Sequence, residues 1–311
     1  MKSWLLDLLR DPVDGSHLIL EKSPGDPEES RVPSLASASG RRYPIVRWVP
    51  RFVLNEEYAE TFGYQWNRFA RTQLDSASGT TRSRDTFLEK TGLSLGELRG
   101  KTVLDVGCGM GRFAEVVAEA GARVVGIDLS SAVDAAAANL SRFENAAVVQ
   151  ADVFALPFAP ESFDLVYSIG VLHHTPDTRK AFLALPRFVK RGGQLSVWVY
   201  HRGLRWYLLT SRLYRLVTTR LSKDLLLRLS RVAGPLGEIE RRGKIGAALQ
   251  WVFPVSTHPD PQWRILDTFD WYSPKYQWTH SDEEVESWFR EAGFSDVWHG
   301  SYPVSVRGRK T

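Results

Sequence analysis

The sequence predicts an α/β protein built on an open parallel sheet, and three observations carry that prediction. An apolar segment at 103–106 runs into a glycine-rich turn and then a helix. A second apolar segment, 124–127, ends in Asp128 about twenty residues further on. Two more segments, 147–153 and 163–170, again finish on an acid or a glycine, with helical stretches between them. This pattern places Asp105, Asp128, Asp152 and Gly170 at the carboxyl edge of one sheet, where open α/β sheets bind ligands.

The first turn has specific physics. Gly107 and Gly109 lack a β-carbon, so the backbone can take positive φ and come close to a ligand, while Gly111 lets the next helix pack tightly. The Asp105 carboxylate, at the strand end, can fix the loop or reach a ligand ammonium through water. A turn of this kind alone also serves dinucleotide enzymes. The dinucleotide fingerprint fits poorly, because its last glycine is due where Arg112 stands and Gly111 comes one place early.

With Val171, Leu172, His173 and His174 following the fourth segment, these residues resemble the class I S-adenosylmethionine-dependent methyltransferases, in their small-molecule, methyltransferase type 11-like branch. The resemblance covers residues 100–200, in motif order and spacing. It implies a Rossmann-like seven-stranded methyltransferase sheet and S-adenosyl-L-methionine as cofactor. Carried over position by position, it puts Asp105, Gly107, Cys108 and Gly109 around the methionine part and Asp128, with Leu129, at the ribose. Asp152 meets the adenine amine, Val153 lies beside the ring, and Ile169 and Gly170 line the floor near the sulfonium.

The chain of 311 residues is 43% hydrophobic and 24% charged, the composition of a soluble globular protein of one or two domains. A net charge of +4 is mildly basic and does not demand a nucleic-acid partner. Cys108 is the single cysteine, which excludes an internal disulfide or a multi-cysteine zinc site and fits a reducing compartment. The apolar run after Met1 is broken at Asp7, and no uncharged stretch approaches the ~18 residues of a membrane span. The expectation is a cytoplasmic enzyme, monomeric or homodimeric.

Four parts follow along the chain. Residues 1–54 form a small α+β module: a helix at 4–10, a strand at 17–21, a Pro/Ser/Glu-rich loop at 23–39 and a closing segment at 42–50. The layout resembles the zinc-ribbon-like activator of translation-machinery methyltransferases, with one departure. Asp11 and Asp14 stand where the first two cysteines would be, so no zinc ligands remain and packing on the main domain must hold the module. A metal on Asp11, Asp14 and His17 is weighed against, since such acids usually serve turns.

Residues 55–99 are a helical lead-in with aromatics at 58, 62, 66 and 69 on one face. The plain reading is packing on the sheet; the sharper one is a cofactor lid, in which Tyr64, Gln65, Trp66 and Arg68, with Arg82 and Arg84, hold the methionine carboxylate or cover the sulfonium. The core resumes in a strand at 194–200 and, after a delay, a helix at 281–292 and last strands around 296–298 and 303–307. The core is thus 100–201 with 280–311.

Between its two parts, residues 202–279 form a helical cap insertion after the fifth core strand, expected to roof the pocket and define the substrate. Its first half, 204–229, alternates leucines with arginines and reads first as a solvated cap with apolar faces turned inward, with a membrane-surface or phosphate-binding face as the alternative. Its second half is aromatic and acidic, and reads as a loop-like wall that stacks on a substrate ring.

In-line transfer of a methyl from a sulfonium asks the protein to align the nucleophile and remove its proton. His174 and His173 are the best-placed bases, because an imidazole titrates near neutral pH. His174, Asp270, Trp271, Tyr272 and Tyr276 are the candidate substrate contacts, with Asp267, His258 and His280 in reserve. The expected reaction is methylation of a small-molecule hydroxyl, amine or carbon, on a sugar, a nucleotide-linked sugar or a secondary metabolite. Aminocarboxypropyl transfer, decarboxylation or cyclisation by the same cofactor stays open beside it, as does methylation of RNA or protein.

Overall fold

The computed structural model describes all residues except 22–32, 55, 204–205 and 242–248. The expected loop at 23–39 lies outside the described residues as far as 32, and its remainder is not a loop throughout, since Ser34–Ser37 form a strand; Leu204 and Arg205 at the start of the insertion also lie outside the described residues.

The chain opens with helix α1 (Ser3–Leu8) and an antiparallel sheet of β1 (Leu18–Glu21), β2 (Ser34–Ser37), β3 (Arg42–Val46) and β4 (Val49–Pro50), ordered β1-β2-β3-β4. The Arg41 guanidinium donates from Nε to Asp11 Oδ2 at 2.8 Å and from its other arm to Asp14. Burial raises the Asp11 carboxyl, but hydrogen bonds from Arg41 and the Val13 N–H outweigh this and leave it below its ordinary value. The module shares its core with the main sheet, for Leu5, Leu9, Leu18, Leu35 and Ile45 pack in one cluster with Leu104, Val106 and Phe158. Arg51 ties it down further, donating to Asp134 at 2.6 Å and to Gln150 at 2.9 Å.

Four lead-in helices follow: α2 (Glu60–Arg68), α3 (Asp75–Ser78), α4 (Arg82–Thr91) and α5 (Leu95–Leu98), the last started by a Ser94/Glu97 capping box. The main body then alternates: β5 (Thr102–Val106), α6 (Arg112–Glu119), β6 (Arg123–Asp128), α7 (Ala132–Leu140), β7 (Ala146–Gln150), β8 (Phe163–Ile169), α8 (Thr178–Leu183) and β9 (Val189–Trp198). After the insertion come α12 (Asp282–Glu291), β10 (Phe294–His299) and β11 (Ser305–Lys310). One seven-stranded sheet results, in the order β10-β11-β9-β8-β5-β6-β7. Strands β5 to β9 run parallel, and β11 inserts antiparallel between β9 and β10. The chain leaves β5 toward β6 and β7, then returns to the other side at β8. That reversal between β5 and β8 is where an open α/β sheet leaves a crevice for ligands.

The insertion holds α9 (Trp206–Thr218), α10 (Lys223–Glu240) and α11 (Pro261–Tyr272). Here the structure departs from the sequence expectation, because the aromatic second half is helical where a loop-like wall was expected. Asp260 caps the helix by accepting from Trp263 N, and Pro261 stands at its first turn, where its missing N–H costs nothing. No helix among the described residues is long and apolar enough to cross a membrane.

Candidate active site

A cavity of about 440 Å³ opens at the switch between β5 and β8. Its floor is made by Gly107, Cys108, Gly109, Asp128, Leu129, Val153, Ile169 and Gly170, all at the carboxyl ends of strands. The floor cannot carry larger side chains. A β-carbon at Gly107, whose φ is +80°, would lie 2.3 Å from Val171 Cγ1, and one at Gly109 would lie 3.1 Å from Trp66 Nε1. The glycines therefore let Val171 and Trp66 pack directly on the turn, with Trp66 lying over Gly109. Gly111 serves another neighbour than expected: it faces Leu140 of α7, at 3.3 Å from a notional β-carbon.

Asp128 organises this loop. Its Oδ2 accepts from Gly109 N at 3.0 Å, and its Oδ1 accepts from Ser130 N at 2.9 Å and Ser130 Oγ at 2.6 Å. Burial raises its carboxyl against those hydrogen bonds. Gly107 N and Cys108 N both donate to Ile127 O at 2.8 Å, which locks the turn to the strand that carries Asp128. Below the turn, Asp105 is buried and its Oδ2 has no hydrogen-bond partner. Burial pushes this carboxyl up to about 7, helped by the charge of Asp128. Asp105 does not line the cavity, so the expected contact with the methionine part is not made by this carboxyl, which lies beneath the turn near the Tyr167 hydroxyl.

The roof comes from three elements. Phe62 and Trp66 project from α2, Arg82 and Lys90 from α4, and α11 presents Trp263, Leu266, Asp267, Asp270 and Trp271. Those five positions follow the i, i+3, i+4, i+7, i+8 spacing of one helix face. Asp270 accepts from Gln65 Nε2 at 2.9 Å, and Asp267 accepts from Ser256 Oγ at 3.2 Å. Burial pushes Asp267 up to about 7, with the Asp270 charge adding to it, and burial pushes Asp270 up to about 6. Lys90 Nζ sits 3.0 Å from the Trp198 ring centroid, and burial brings its ammonium down to about 7. Arg112 is held by neutral groups, Ser83 Oγ at 3.0 Å and Gln73 Oε1 at 3.2 Å, and its guanidinium lies over Trp263. The upper cavity is thus aromatic and carries both signs of charge.

His174 stands at the junction of floor and roof. Its Nδ1 is 2.8 Å from the Tyr276 carbonyl oxygen. A carbonyl only accepts, so Nδ1 carries the proton and Nε2 keeps its lone pair. Burial lowers this imidazole to about 4, against the hydrogen bond to Tyr276, so it is neutral at pH 7 but a weaker base than the titration near neutrality expected from the sequence. Phe62 packs on its ring at 5.1 Å.

Several expected site residues lie elsewhere. His173 is fully buried, packs on Tyr200 at 3.9 Å, has neither ring nitrogen hydrogen-bonded, and does not line the cavity. Tyr64 turns away, its hydroxyl donating to Asp224 at 2.6 Å and its ring meeting Phe269. Tyr272 donates to Pro254 O at 2.5 Å, deep under the cap. Tyr276 meets His174 through its backbone while its ring packs on Tyr58. Asp152 accepts from Phe154 N at 3.0 Å, outside the lining, although its neighbour Val153 lines the cavity. Lys90, Arg112, Trp198, Tyr200 and Trp263 line it without having been singled out as contacts. For Trp263 the signal was present in its spacing to Asp267, Asp270 and Trp271. For Lys90 and Arg112 there was none.

The glycine cradle and the acid-ended β6 lie within residues 104–197, which match the sequence family described as a methyltransferase domain. The ubiquinone biosynthesis O-methyltransferases of Pseudomonas paraeruginosa and Pseudomonas fluorescens are each 40% identical to this chain, over 115 and 116 residues respectively. Each alignment takes in 36% of this chain and 49% of the relative, so the chain spans about half the length of the relatives it matches. Among solved structures, magnesium protoporphyrin IX methyltransferase from Synechocystis with bound SAH is similar at 17% identity and a TM-score of 0.46, covering 82% of this chain and 98% of that one.

Proposed function

We propose that this protein methylates a small molecule bearing a hydroxyl, amine or nucleophilic carbon, with S-adenosyl-L-methionine as donor. The observation that carries the reading is that one cavity is shared by the glycine cradle, by His174 and by the aromatic and acidic face of α11. A roof made by an insertion leaves an aperture suited to a small acceptor rather than to a folded RNA or protein.

When bound, S-adenosyl-L-methionine supplies an electrophilic methyl on a sulfonium. Asp128 and Leu129 hold the ribose edge, Val153 flanks the base, and Gly107 to Gly109 let the backbone approach the remainder. Trp66 closes over Gly109 and excludes water there. His174, neutral and fixed by Tyr276, offers Nε2 to the proton of an aligned acceptor. Trp263 and Trp271 give ring faces for that acceptor, and Asp267 and Asp270 give it hydrogen-bond acceptors. His173 acts behind His174, as packing for Tyr200.

The test is incubation with methyl-labelled cofactor and a panel of sugar, nucleotide-sugar and phenolic acceptors, read by label in a small-molecule product. Transfer that requires Asp128 supports the reading. Label found only in RNA or protein, or left in 5′-methylthioadenosine while an unlabelled aminocarboxypropyl product forms, would overturn it.

A further inference from the structure

The outer surface of the cap has an apolar face that the catalytic reading leaves unused. Among the described residues, eleven of the nineteen exposed large apolar side chains fall within 213–253. Five of them, Leu225, Leu229, Val232, Leu236 and Ile239, recur at helical spacing along α10, and Val232 is 76% exposed. They stand opposite the face that packs inward through Leu226, Leu227 and Ser230. Helix α10 is therefore apolar twice over, once toward the cap core and once toward solvent. The outward stripe runs for roughly 20 Å at 1.5 Å per residue. On α9, Leu213, Leu216 and Val217 are exposed in the same way, and Tyr214 joins that helix to Phe253 by a stacked contact at 6.1 Å. Trp251, Val252 and Phe253 add an exposed aromatic edge. Soluble monomers rarely leave so much apolar surface together.

Charge indicates what covers it. Arg212, Arg220, Arg228 and Arg231 are exposed on the same two helices or just beyond, and none makes an ion pair among the described residues. The acids of α10 are engaged elsewhere: Asp224 accepts from Tyr64, Glu238 pairs with Arg264 and Arg241, and Glu240 is buried. A two-fold pairing of this face with a second copy would bring two sets of unpaired arginines into one interface, because the same patch serves both sides. An anionic lipid surface satisfies both parts at once: leucine and tryptophan enter the acyl boundary while arginines meet lipid phosphates.

We propose that the outer face of α9 and α10 attaches this protein to anionic membrane surfaces. Helix α11 lies between that face and the cavity, since α9 and α10 both pack on it. Attachment therefore brings the roof of the site, not its sheet, next to the bilayer.

The full-length protein is sedimented with phosphatidylglycerol/phosphatidylcholine vesicles and with pure phosphatidylcholine vesicles. Binding is expected with the former, weakening at raised salt. Leu229→Glu/Val232→Glu should lower partitioning at least tenfold, and Arg228→Ala/Arg231→Ala roughly thirtyfold. Both pairs are exposed, and unchanged S-adenosylhomocysteine binding verifies that the variants fold. Absence of vesicle binding overturns the proposal. So does a concentration-dependent dimer that Val232→Glu abolishes while vesicles leave the protein in the supernatant. Neither readout depends on turnover, so the catalytic reading stands or falls separately.

Discussion

Replacing Asp128 with Asn should weaken cofactor binding about a hundredfold while leaving the fold intact. The carboxylate already accepts three hydrogen bonds, from Gly109 N and from both donors of Ser130. An amide has one accepting oxygen. Its NH₂ would then face either the Gly109 N–H or the Ser130 N–H, donor against donor, and it would accept only one ribose hydroxyl in place of two. Losing charge assistance in two ligand bonds removes about 3 kcal/mol, which is a factor of roughly a hundred in Kd. Apo stability moves little, because burial disfavours the Asp128 charge that the amide also removes. Isothermal titration with S-adenosylhomocysteine and a thermal melt measure the two quantities. An affinity within threefold of wild type, with an unchanged melt, would refute the assignment of Asp128 to the ribose.

Further outcomes follow from the same geometry. His174→Ala should keep cofactor affinity and lower kcat by about a hundredfold or more, the usual worth of a positioned base; unchanged turnover removes it from the reaction. Gly107→Ala should destabilise by about 3 kcal/mol, from positive φ and the contact with Val171, and Val171→Ala should recover part of that in a denaturant titration. Asp267→Asn tests the raised carboxyl. Folded Asp267 keeps its proton up to about 7 while the unfolded chain loses it near 4, so wild-type stability falls as pH rises through that window. The variant lacks this loss and should gain at most about 4 kcal/mol at pH 8, with no gain at pH 4; equal stabilities at pH 8 would contradict the burial of that charge. Arg41→Gln should lower Tm at neutral pH. The Asp11 carboxyl is held below its ordinary value, so its contribution is present above that value and lost as pH falls through the folded pKa; the deficit should therefore close in acid.

The sheet and the cradle were legible because their signals are local. Glycine at 107 and 109, and acids at strand ends, act within a few residues of where they stand. The cap was half legible. Its arginine and leucine periodicity gave helices, but the weight of proline and aromatics in the second half hid α11, although Asp260-Pro261 is a helix start. The charged roof was not legible, since Lys90 and Arg112 reach the cavity only because α4 and α6 pack over Trp198 and Trp263. The same holds for Arg41, which meets Asp11 and Asp14 across a strand pairing and an intervening loop that no short motif encodes.

A crystal structure with S-adenosylhomocysteine tests the central claim most directly. The ribose should lie on Asp128, the adenine beside Val153, and the sulfur should face the space between His174 Nε2 and the Asp267/Asp270 side of α11. A sulfur turned away from α11, or a nucleoside bound outside the cradle of Gly107 and Gly109, would contradict the account.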